Sequence, residues 1–376
     1  MSTVDASSST NRAIRTIDLF SGAGGLTAGL ASSTGAFEVV RAVEHDISAA
    51  ASFAANHGQG VVFPGAIEDW LESEEVPEVD LVVGGPPCQG FSALNRSGVG
   101  LDRNGLWERY AETLERARPK WFVMENVARF TKSAEYAEFT TWFLPGGRLA
   151  EWSIETRVLL AADYGAPQLR RRAFVLGHRS DVAPPAWPAA TCAARHPTVA
   201  QALEGLGRAV TAVDLPMRST VFAGRRLGGA YRTDELHVTR HYKDVSKERF
   251  RTIPHGGNRF DLPEDLKTPC WRKHTSGSGD VMGRLVWERP SVTIRTEFFK
   301  PEKGRYLHPT EHRAITHQEA ARIQGFPDDY LWVGSKTDIA RQIGNAVPLA
   351  LGRAFGDSIT DAAGEIVRRD EGTLFG

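Results

Sequence analysis

Short, continuously apolar segments alternate with helix-like segments through the first half of the chain. The apolar segments are typical of strands buried on both faces of a parallel sheet, and they cover residues 14–20, 39–44, 61–63, 79–83 and 121–125. Between the last two segments, Trp107, Tyr110 and Leu114 recur at helical spacing among charged residues, and Pro119 ends the pattern. This alternation, which continues to residue 179, predicts an α/β fold with a doubly wound, mostly parallel sheet.

The pattern weakens after residue 179. Residues 183–197 are rich in proline, and periodicity stays faint until about residue 292. Order returns where Thr316 and Glu319 form a capping box, which predicts a helix through Ile323 that Gly325 ends. We therefore predict four parts: a disordered tail over 1–12, a main domain over 13–183, a smaller and irregular domain over 184–304, and a C-terminal segment over 305–376 that returns to the main domain.

Composition excludes several classes of protein. Lys and Arg total 45 against 46 Asp and Glu, and 41% of the residues are hydrophobic, so the chain is globular rather than disordered or fibrous. Three cysteines, Cys88, Cys192 and Cys270, form neither a disulfide framework nor a zinc-binding pair. His237 and His241 have no third ligand nearby, so we expect no metal site. No apolar run reaches the length of a membrane span, and we expect a cytoplasmic protein without membrane contact.

Positive charge is concentrated in one part of the chain. Residues 217–313 hold 20 Lys and Arg against 12 Asp and Glu, so the rest of the chain is acidic. Such asymmetry is typical of a domain that binds a polyanion, because Lys and Arg supply the phosphate contacts that dominate nucleic-acid affinity. The alternative is a basic surface that only meets solvent, and the charge count leaves both interpretations open.

A glycine cluster over residues 21–25 follows the first predicted strand. It does not fit the dinucleotide fingerprint, because Thr27 stands where the third glycine is required after Gly22 and Gly24. A nicotinamide-dependent oxidoreductase is therefore disfavoured. Phe20 ends the first strand and Glu44 ends the second, which suits a nucleoside: an aromatic ring for the base and a carboxylate for the ribose hydroxyls. The alternative is a tight turn without a ligand.

Cys88 lies in a loop of glycines and prolines, residues 84–92, directly after the strand at 79–83. Ligands of open α/β sheets bind at the carboxyl ends of the strands, and the two prolines before Cys88 present it rigidly. Cys88 is therefore a candidate nucleophile. Its alternative role is that of a small buried hydrophobic residue, but the polar Gln89 beside it does not fit that role.

Charged side chains occur near the same predicted sheet edge. Glu125 follows the strand at 121–124 and could protonate a ring nitrogen of a bound base, although a helix cap is its alternative role. Arg170 and Arg172 are two residues apart, so alternation along one strand would place both on one face. There they could hold a phosphate or a base carbonyl.

Together with residues 344–348 (GNAVP), these clusters resemble the cytosine-5 DNA methyltransferases. The shared signatures are PPCQ, ENV, QxRxR and GNAVP, in that order, and the match covers residues 14–180 and 285–355. The resemblance implies that 13–183 is the catalytic and cofactor-binding domain with the S-adenosylmethionine-dependent methyltransferase fold, and that 184–304 is the target-recognition domain. The cofactor-binding positions that it implies are Phe20, Gly22, Gly24, Glu44, Pro86, Leu106, Asn345 and Ala346.

The resemblance also implies a mechanism. The target cytosine leaves the duplex, Cys88 attacks C6, Glu125 protonates N3, and C5 receives the methyl group before Cys88 is eliminated. Arg172, and by position Arg170, would hold the base O2 and a neighbouring phosphate. The DNA-binding residues that we expect are Gln89, Ser92, Arg272 and Lys273.

The sequence departs from the family at one position. Members often place an acidic residue on the adenine amino group after the third strand, whereas this chain has Ala66 there, and Glu68 or Asp69 could substitute. We expect a monomeric bacterial enzyme that acts on double-stranded DNA, with a cognate restriction endonuclease as a possible functional partner. The alternatives are a tRNA cytosine-5 methyltransferase, whose Cys-Phe-Thr tripeptide is missing here, and a catalytically inactive DNA-binding regulator.

Overall fold

Strands and helices alternate along the computed structural model, which describes residues 12–87, 105–273 and 276–373, with side chains through 364. The tail expected over 1–12 therefore lies almost wholly outside the described residues. The strands are β1 Ile14–Leu19, β2 Phe37–Val43, β3 Val62–Phe63, β4 Leu81–Gly84, β5 Trp121–Val127, β6 Trp152–Leu160, β7 Gln168–Leu169, β8 Arg171–Arg179, β9 Ser219–Phe222, β10 Arg225–Arg232, β11 Ser291–Val292 and β12 Leu331–Val333.

The α-helices follow the same chain order. They are α1 Gly25–Ala31, α2 Ile47–His57, α3 Ile67–Ser73, α4 Leu106–Ala117, α5 Ala134–Thr141, α6 Val199–Ala202, α7 Asp244–Thr252, α8 Pro269–Lys273, α9 His317–Gln324, α10 Lys336–Asn345 and α11 Leu349–Thr373. The capping box predicted at the start of α9 is confirmed: the Thr316 hydroxyl accepts from the Glu319 amide, and Glu319 accepts from the Thr316 amide.

Seven strands form the central sheet in the order β3-β2-β1-β4-β5-β8-β6. The first five are parallel, whereas β8 runs antiparallel between β5 and β6. This confirms the predicted doubly wound, mostly parallel sheet. The chain order reverses between β1 and β4, so the loops that follow these two strands border the crevice in which such sheets bind ligands.

Both faces of the sheet are covered by helices, which explains the continuously apolar strands. Val82 of β4 lies in the same core cluster as Trp70 of α3 and Leu114 of α4. Its neighbours Leu81 and Val83 belong to a second cluster, which α1 and α11 complete on the other face. Because successive side chains of a strand point to opposite faces, a strand between two helical layers must be apolar at every position.

α11 packs on α1 through glycines. A Cβ added to Gly29 would lie 2.6 Å from the Leu349 carbonyl oxygen and 2.7 Å from the Gly352 Cα. Replacing Gly29 with Ala should therefore destabilise the protein by about 1–3 kcal/mol, because backbone atoms on the facing helix cannot move aside cheaply. Thermal or urea unfolding checks this prediction. Gly60→Ala is the control, since nothing lies within 4 Å of an added Cβ there; equal stability of the two variants would contradict it.

Two arginines hold together loops of the irregular region after residue 183, Arg284 from a buried position and Arg305 from a partly buried one. The Arg284 guanidinium donates to the carbonyls of Phe250, Ile253, His308 and Glu311. Arg305 similarly donates to the carbonyls of Gly256, Gly257, Gly279 and Arg284. Part of the positive charge counted over 217–313 therefore holds loops together and is not free to contact a polyanion.

A second, three-stranded sheet joins distant parts of the chain. Its order is β12-β10-β9, so the C-terminal strand β12 pairs with a hairpin from residues 219–232. Phe222 and Val333 of this sheet pack against Phe53 of α2. In the described part of the chain, no helix is long and apolar enough to cross a membrane, and no group of three potential metal ligands occurs.

Candidate active site

The glycine turn after β1 is fixed by Glu44. Gly22 and Gly24 adopt positive φ angles of 57° and 94°, conformations that favour glycine. The buried Glu44 carboxylate accepts from the Gly22 amide at 2.9 Å and from the Asp46 amide at 2.7 Å. The carboxylate thus connects the ends of β1 and β2 at the crevice, and the residues of the predicted nucleoside site lie together.

Two further polar groups, one in this turn and one in β1 beside it, have no signal in the sequence. The Ser21 hydroxyl is buried and has no hydrogen-bond partner among the described residues. Asp18 is buried and accepts from the Thr27 hydroxyl at 2.6 Å. Burial and, to a smaller extent, the nearby Glu44 charge raise the pKa of Asp18 to about 7, although the Thr27 hydrogen bond acts to lower it. Buried polar groups normally have a hydrogen-bond partner, so a buried hydroxyl without one, next to the glycine turn, fits a binding site for a polar ligand.

The family signature near the C-terminus lies against this turn. Asn345 ends α10 and Ala346 follows it. A Cβ added to Gly25 would lie 2.9 Å from the Val347 carbonyl and 3.1 Å from the Ala346 Cβ. Residues far apart in sequence therefore form one wall of the crevice, which brings two of the predicted groups of cofactor residues together.

Phe20 and Leu106 lie at the edge of the core cluster that contains Val82. Both are partly buried against it, as is Phe63 at the end of β3. Ala66, at the position where the family often has an acid, lies just before α3. Glu68 and Asp69 are exposed in the first turn of that helix. The structure records no contact between either carboxylate and the glycine turn.

The loop after β4 touches the end of β5. A Cβ added to Gly85 would lie 2.8 Å from the Glu125 carboxylate, and Asn126 donates to the Pro86 carbonyl at 3.2 Å. The buried Pro86 is thus anchored two residues before Cys88. Cys88, Gln89 and Ser92 lie outside the described residues.

Glu125 and Arg172 form an ion pair. The Arg172 Nε lies 2.7 Å from Glu125 Oε1, and both side chains are mostly buried. The antiparallel register of β5 and β8 places Arg172 opposite Val127, so its side chain shares a sheet face with Glu125. The structure therefore brings a carboxylate and a guanidinium together beside the loop that leads to Cys88.

Arg170 lies in a break between two strands. β7 ends at Leu169 and β8 begins at Arg171, so the single continuous strand expected from the sequence is wrong at this point. The buried Arg170 guanidinium donates to the carbonyls of Ile294 at 2.8 Å and Gly344 at 3.0 Å. Burial and, to a smaller extent, the Arg172 charge lower the pKa of Arg170 to about 9, although Glu125 acts to raise it. These contacts tie the junction of β7 and β8 to Ile294 and to Gly344 of the C-terminal segment; a direct contact of Arg170 with substrate stays a prediction.

Arg272 and Lys273 are exposed at the end of the short helix α8. The Arg272 Nε donates to the Glu264 carbonyl at 3.1 Å, and its guanidinium lies 3.8 Å from the Glu264 carboxylate. Their contact with DNA stays a prediction.

The chain resembles known proteins over nearly its full length. The family model for C-5 cytosine-specific DNA methylases matches residues 14–361. Type II methyltransferase M1.HphI of Haemophilus parahaemolyticus is 30% identical over 91% of this chain and 86% of its own length. Type II methyltransferase M.NgoFVII of Neisseria gonorrhoeae is 31% identical over 88% of this chain and 82% of its own length.

Solved structures agree on the fold. A crystal structure described as a DNA modification methyltransferase encoded within an E. coli prophage superposes with a TM-score of 0.66 at 25% identity, covering 93% of this chain and 99% of its own. The S. pombe Dnmt2 methyltransferase, at 16% identity and a TM-score of 0.55, covers 94% of this chain and 99% of its own and supports the fold alone.

The sheet order and the crevice at its carboxyl edge therefore define an S-adenosylmethionine-dependent type of methyltransferase fold. The chain belongs to the C-5 cytosine-specific DNA methylase family. It is a DNA cytosine-5 methyltransferase, which confirms the family, fold class and type of enzyme predicted from the sequence.

Proposed function

We propose that this enzyme methylates C5 of a cytosine flipped out of a specific duplex DNA sequence, through a covalent bond between Cys88 and C6. The observation that carries the proposal is the Glu125–Arg172 ion pair, which lies against Gly85 in the loop that leads to Cys88. Nucleophile, acid and base-orienting cation are then contributed by adjacent segments at one edge of the sheet. The similarity to Type II methyltransferases supports a role as the modification enzyme of a restriction-modification system.

The glycine turn fits S-adenosylmethionine. Glu44 would accept hydrogen bonds from ribose hydroxyls, Phe20 and Leu106 would flank the adenine, and the turn at Gly22 and Gly24 would admit the methionine portion. The Ser21 hydroxyl, which has no partner among the described residues, would donate to its polar end. When bound, the cofactor supplies an electrophilic methyl group. Asn345, Ala346 and Pro86 would complete the walls of the site.

The residues of the chain act on the base. Cys88, as thiolate, forms the bond to C6, while Glu125 holds the proton that N3 receives as negative charge develops on the ring. Arg172 orients the Glu125 carboxyl group and the base O2. After C5 has received the methyl group, its proton passes to solvent water, the bond between C6 and sulfur breaks, and N3 returns its proton to Glu125, which restores the aromatic ring and the Cys88 thiolate. Gln89, Ser92, Arg272 and Lys273 would contact the DNA around the flipped base.

Adenine recognition should not depend on the acids of α3. Replacing Glu68 and Asp69 together with Ala is expected to leave the dissociation constant for S-adenosylmethionine unchanged, because both side chains are exposed. Calorimetry measures this constant, with Glu72→Ala, an exposed acid of the same helix, as control. A loss of about fivefold or more, the effect of one lost hydrogen bond, would show that an acid of α3 replaces the carboxylate missing at Ala66.

The function is tested by incubating the protein with tritiated S-adenosylmethionine and, in separate reactions, mixed duplex DNA or tRNA, followed by base-resolution methylation sequencing. We expect label on C5 of cytosine at one short sequence motif. Label on RNA but not on DNA would instead favour the tRNA methyltransferase. Cofactor binding without transfer to either nucleic acid would favour the inactive regulator.

A further inference from the structure

The glycine turn is held from its far side by Tyr330, which precedes β12. The Tyr330 hydroxyl donates to the Ala23 carbonyl, in the middle of the turn. His57, the last residue of α2, places its Nε2 3.1 Å from the same hydroxyl. Three segments of the chain, which are distant in sequence, therefore meet at one buried oxygen.

The direction of these hydrogen bonds is determined. The Tyr330 hydroxyl has one proton and donates it to Ala23, so it accepts from the His57 Nε2–H. Burial lowers the pKa of His57 to about 4, which keeps the imidazole neutral with one proton to place on Nε2. The chain of donors runs from His57 through Tyr330 to the turn.

The contact fixes the orientation of one peptide group. The carbonyl of the peptide between Ala23 and Gly24 is held by Tyr330, and its N–H donates to the Ser21 carbonyl at 3.0 Å. A Cβ on Gly24 would lie 2.7 Å from His57 Nε2 and 2.8 Å from the Tyr330 hydroxyl, so only glycine lets the turn approach this closely. Ser21, whose buried hydroxyl has no partner in the part of the chain that the structure describes, is thereby positioned as well.

The hydroxyl of Tyr330 is not needed for packing. The ring lies 4.7 Å from the Phe326 ring and 5.3 Å from the Trp332 ring, centroid to centroid, within an apolar cluster. Phenylalanine would fill the same volume, and only the hydroxyl reaches the turn. Preorganisation of a binding loop raises affinity, because less conformational entropy is lost when the ligand binds.

We propose that Tyr330, supported by His57, is a positioning residue for cofactor binding. This inference rests on the proposed use of S-adenosylmethionine at the glycine turn. Through Tyr330 and β12, the C-terminal segment and the hairpin β9–β10 are mechanically connected to the cofactor site. The segment after the irregular domain therefore helps to build the cofactor site, besides covering α2.

Tyr330→Phe should raise the dissociation constant for S-adenosylmethionine by about fivefold, the effect of one hydrogen bond, while kcat at saturating cofactor changes less than about twofold. His57→Phe tests the same chain of hydrogen bonds from α2 and should raise the constant less. The double variant should bind about as weakly as Tyr330→Phe, because His57 acts through Tyr330. Calorimetry and steady-state kinetics on the full chain give these values.

Tyr242→Phe is the matched control. Its hydroxyl also meets a backbone group, accepting from the Ala314 amide at 3.1 Å, but lies in another part of the fold. It should lose similar thermal stability and keep its cofactor affinity. The inference would be overturned if Tyr330→Phe bound the cofactor as tightly as the wild type does, or if Tyr330→Phe and Tyr242→Phe lost cofactor affinity equally. Either result would leave the proposed function standing. Failure of the wild type to bind the cofactor would overturn the proposed function together with the inference.

Discussion

A Cys88→Ser variant is expected to bind S-adenosylmethionine and duplex DNA but to transfer methyl groups about four orders of magnitude more slowly, or not at all. The thiolate is the nucleophile in such chemistry, and a serine hydroxyl is far too weakly acidic to replace it without a dedicated base. The segment before Cys88 is anchored by Asn126 and lies against Glu125. The substitution should therefore remove the nucleophile and leave the rest of the site intact.

The other two cysteines serve as controls for this prediction. Cys270 is exposed, and Cys192 is partly buried, with its sulfur 3.8 Å from where a Cβ on Gly165 would lie. Changing either to Ser should leave the initial rate of tritium transfer to DNA unchanged. Wild-type rates in Cys88→Ser would refute the covalent mechanism, whereas loss of DNA binding alone would indicate that Cys88 contributes to recognition.

Local signals predicted the parts of the fold that local chemistry determines. The capping box at Thr316 and the glycine after α9 marked a helix because its ends satisfy their own backbone groups. The same kind of capping box, formed by Ser335 and Asp338, begins α10, a helix that was not predicted from the sequence. The parallel strands were recognisable because burial on both faces makes them apolar throughout. The antiparallel strand β6 alternates in exposure and is less conspicuous.

Long-range contacts could not be predicted in the same way. Arg284 and Arg305 counted as free positive charge in the sequence, yet they bind backbone carbonyls from loops that no pattern brings together. Arg170 was grouped with Arg172 by spacing, and the break between β7 and β8 separates their contacts. Tyr330 lies 273 positions after His57, so their hydrogen bond becomes visible only when α2 and β12 have been placed side by side.

The second large effect is expected at Glu125. Glu125→Gln keeps the shape of the side chain but cannot supply a proton to N3, so kcat should fall by about 10²–10⁴, the usual contribution of general acid catalysis. The Kd for S-adenosylmethionine should stay unchanged, because Glu125 is not among the proposed cofactor-binding residues. Single-turnover methylation of duplex DNA measures the effect. Glu151→Gln, which breaks the exposed ion pair with Arg118, is the control and should leave the rate unchanged.

The ion pair makes a sharper form of this prediction possible. Arg172→Met leaves the Glu125 carboxylate mostly buried and without its cation, and it should lower kcat because the acid loses its orientation. If Arg172 acts mainly through Glu125, the double variant should be little slower than Glu125→Gln alone. Fully additive losses would instead mean that Arg172 contacts the base independently. The rate of Arg172→Lys separates charge from geometry, since an ammonium cannot reproduce the planar guanidinium at a 2.7 Å contact.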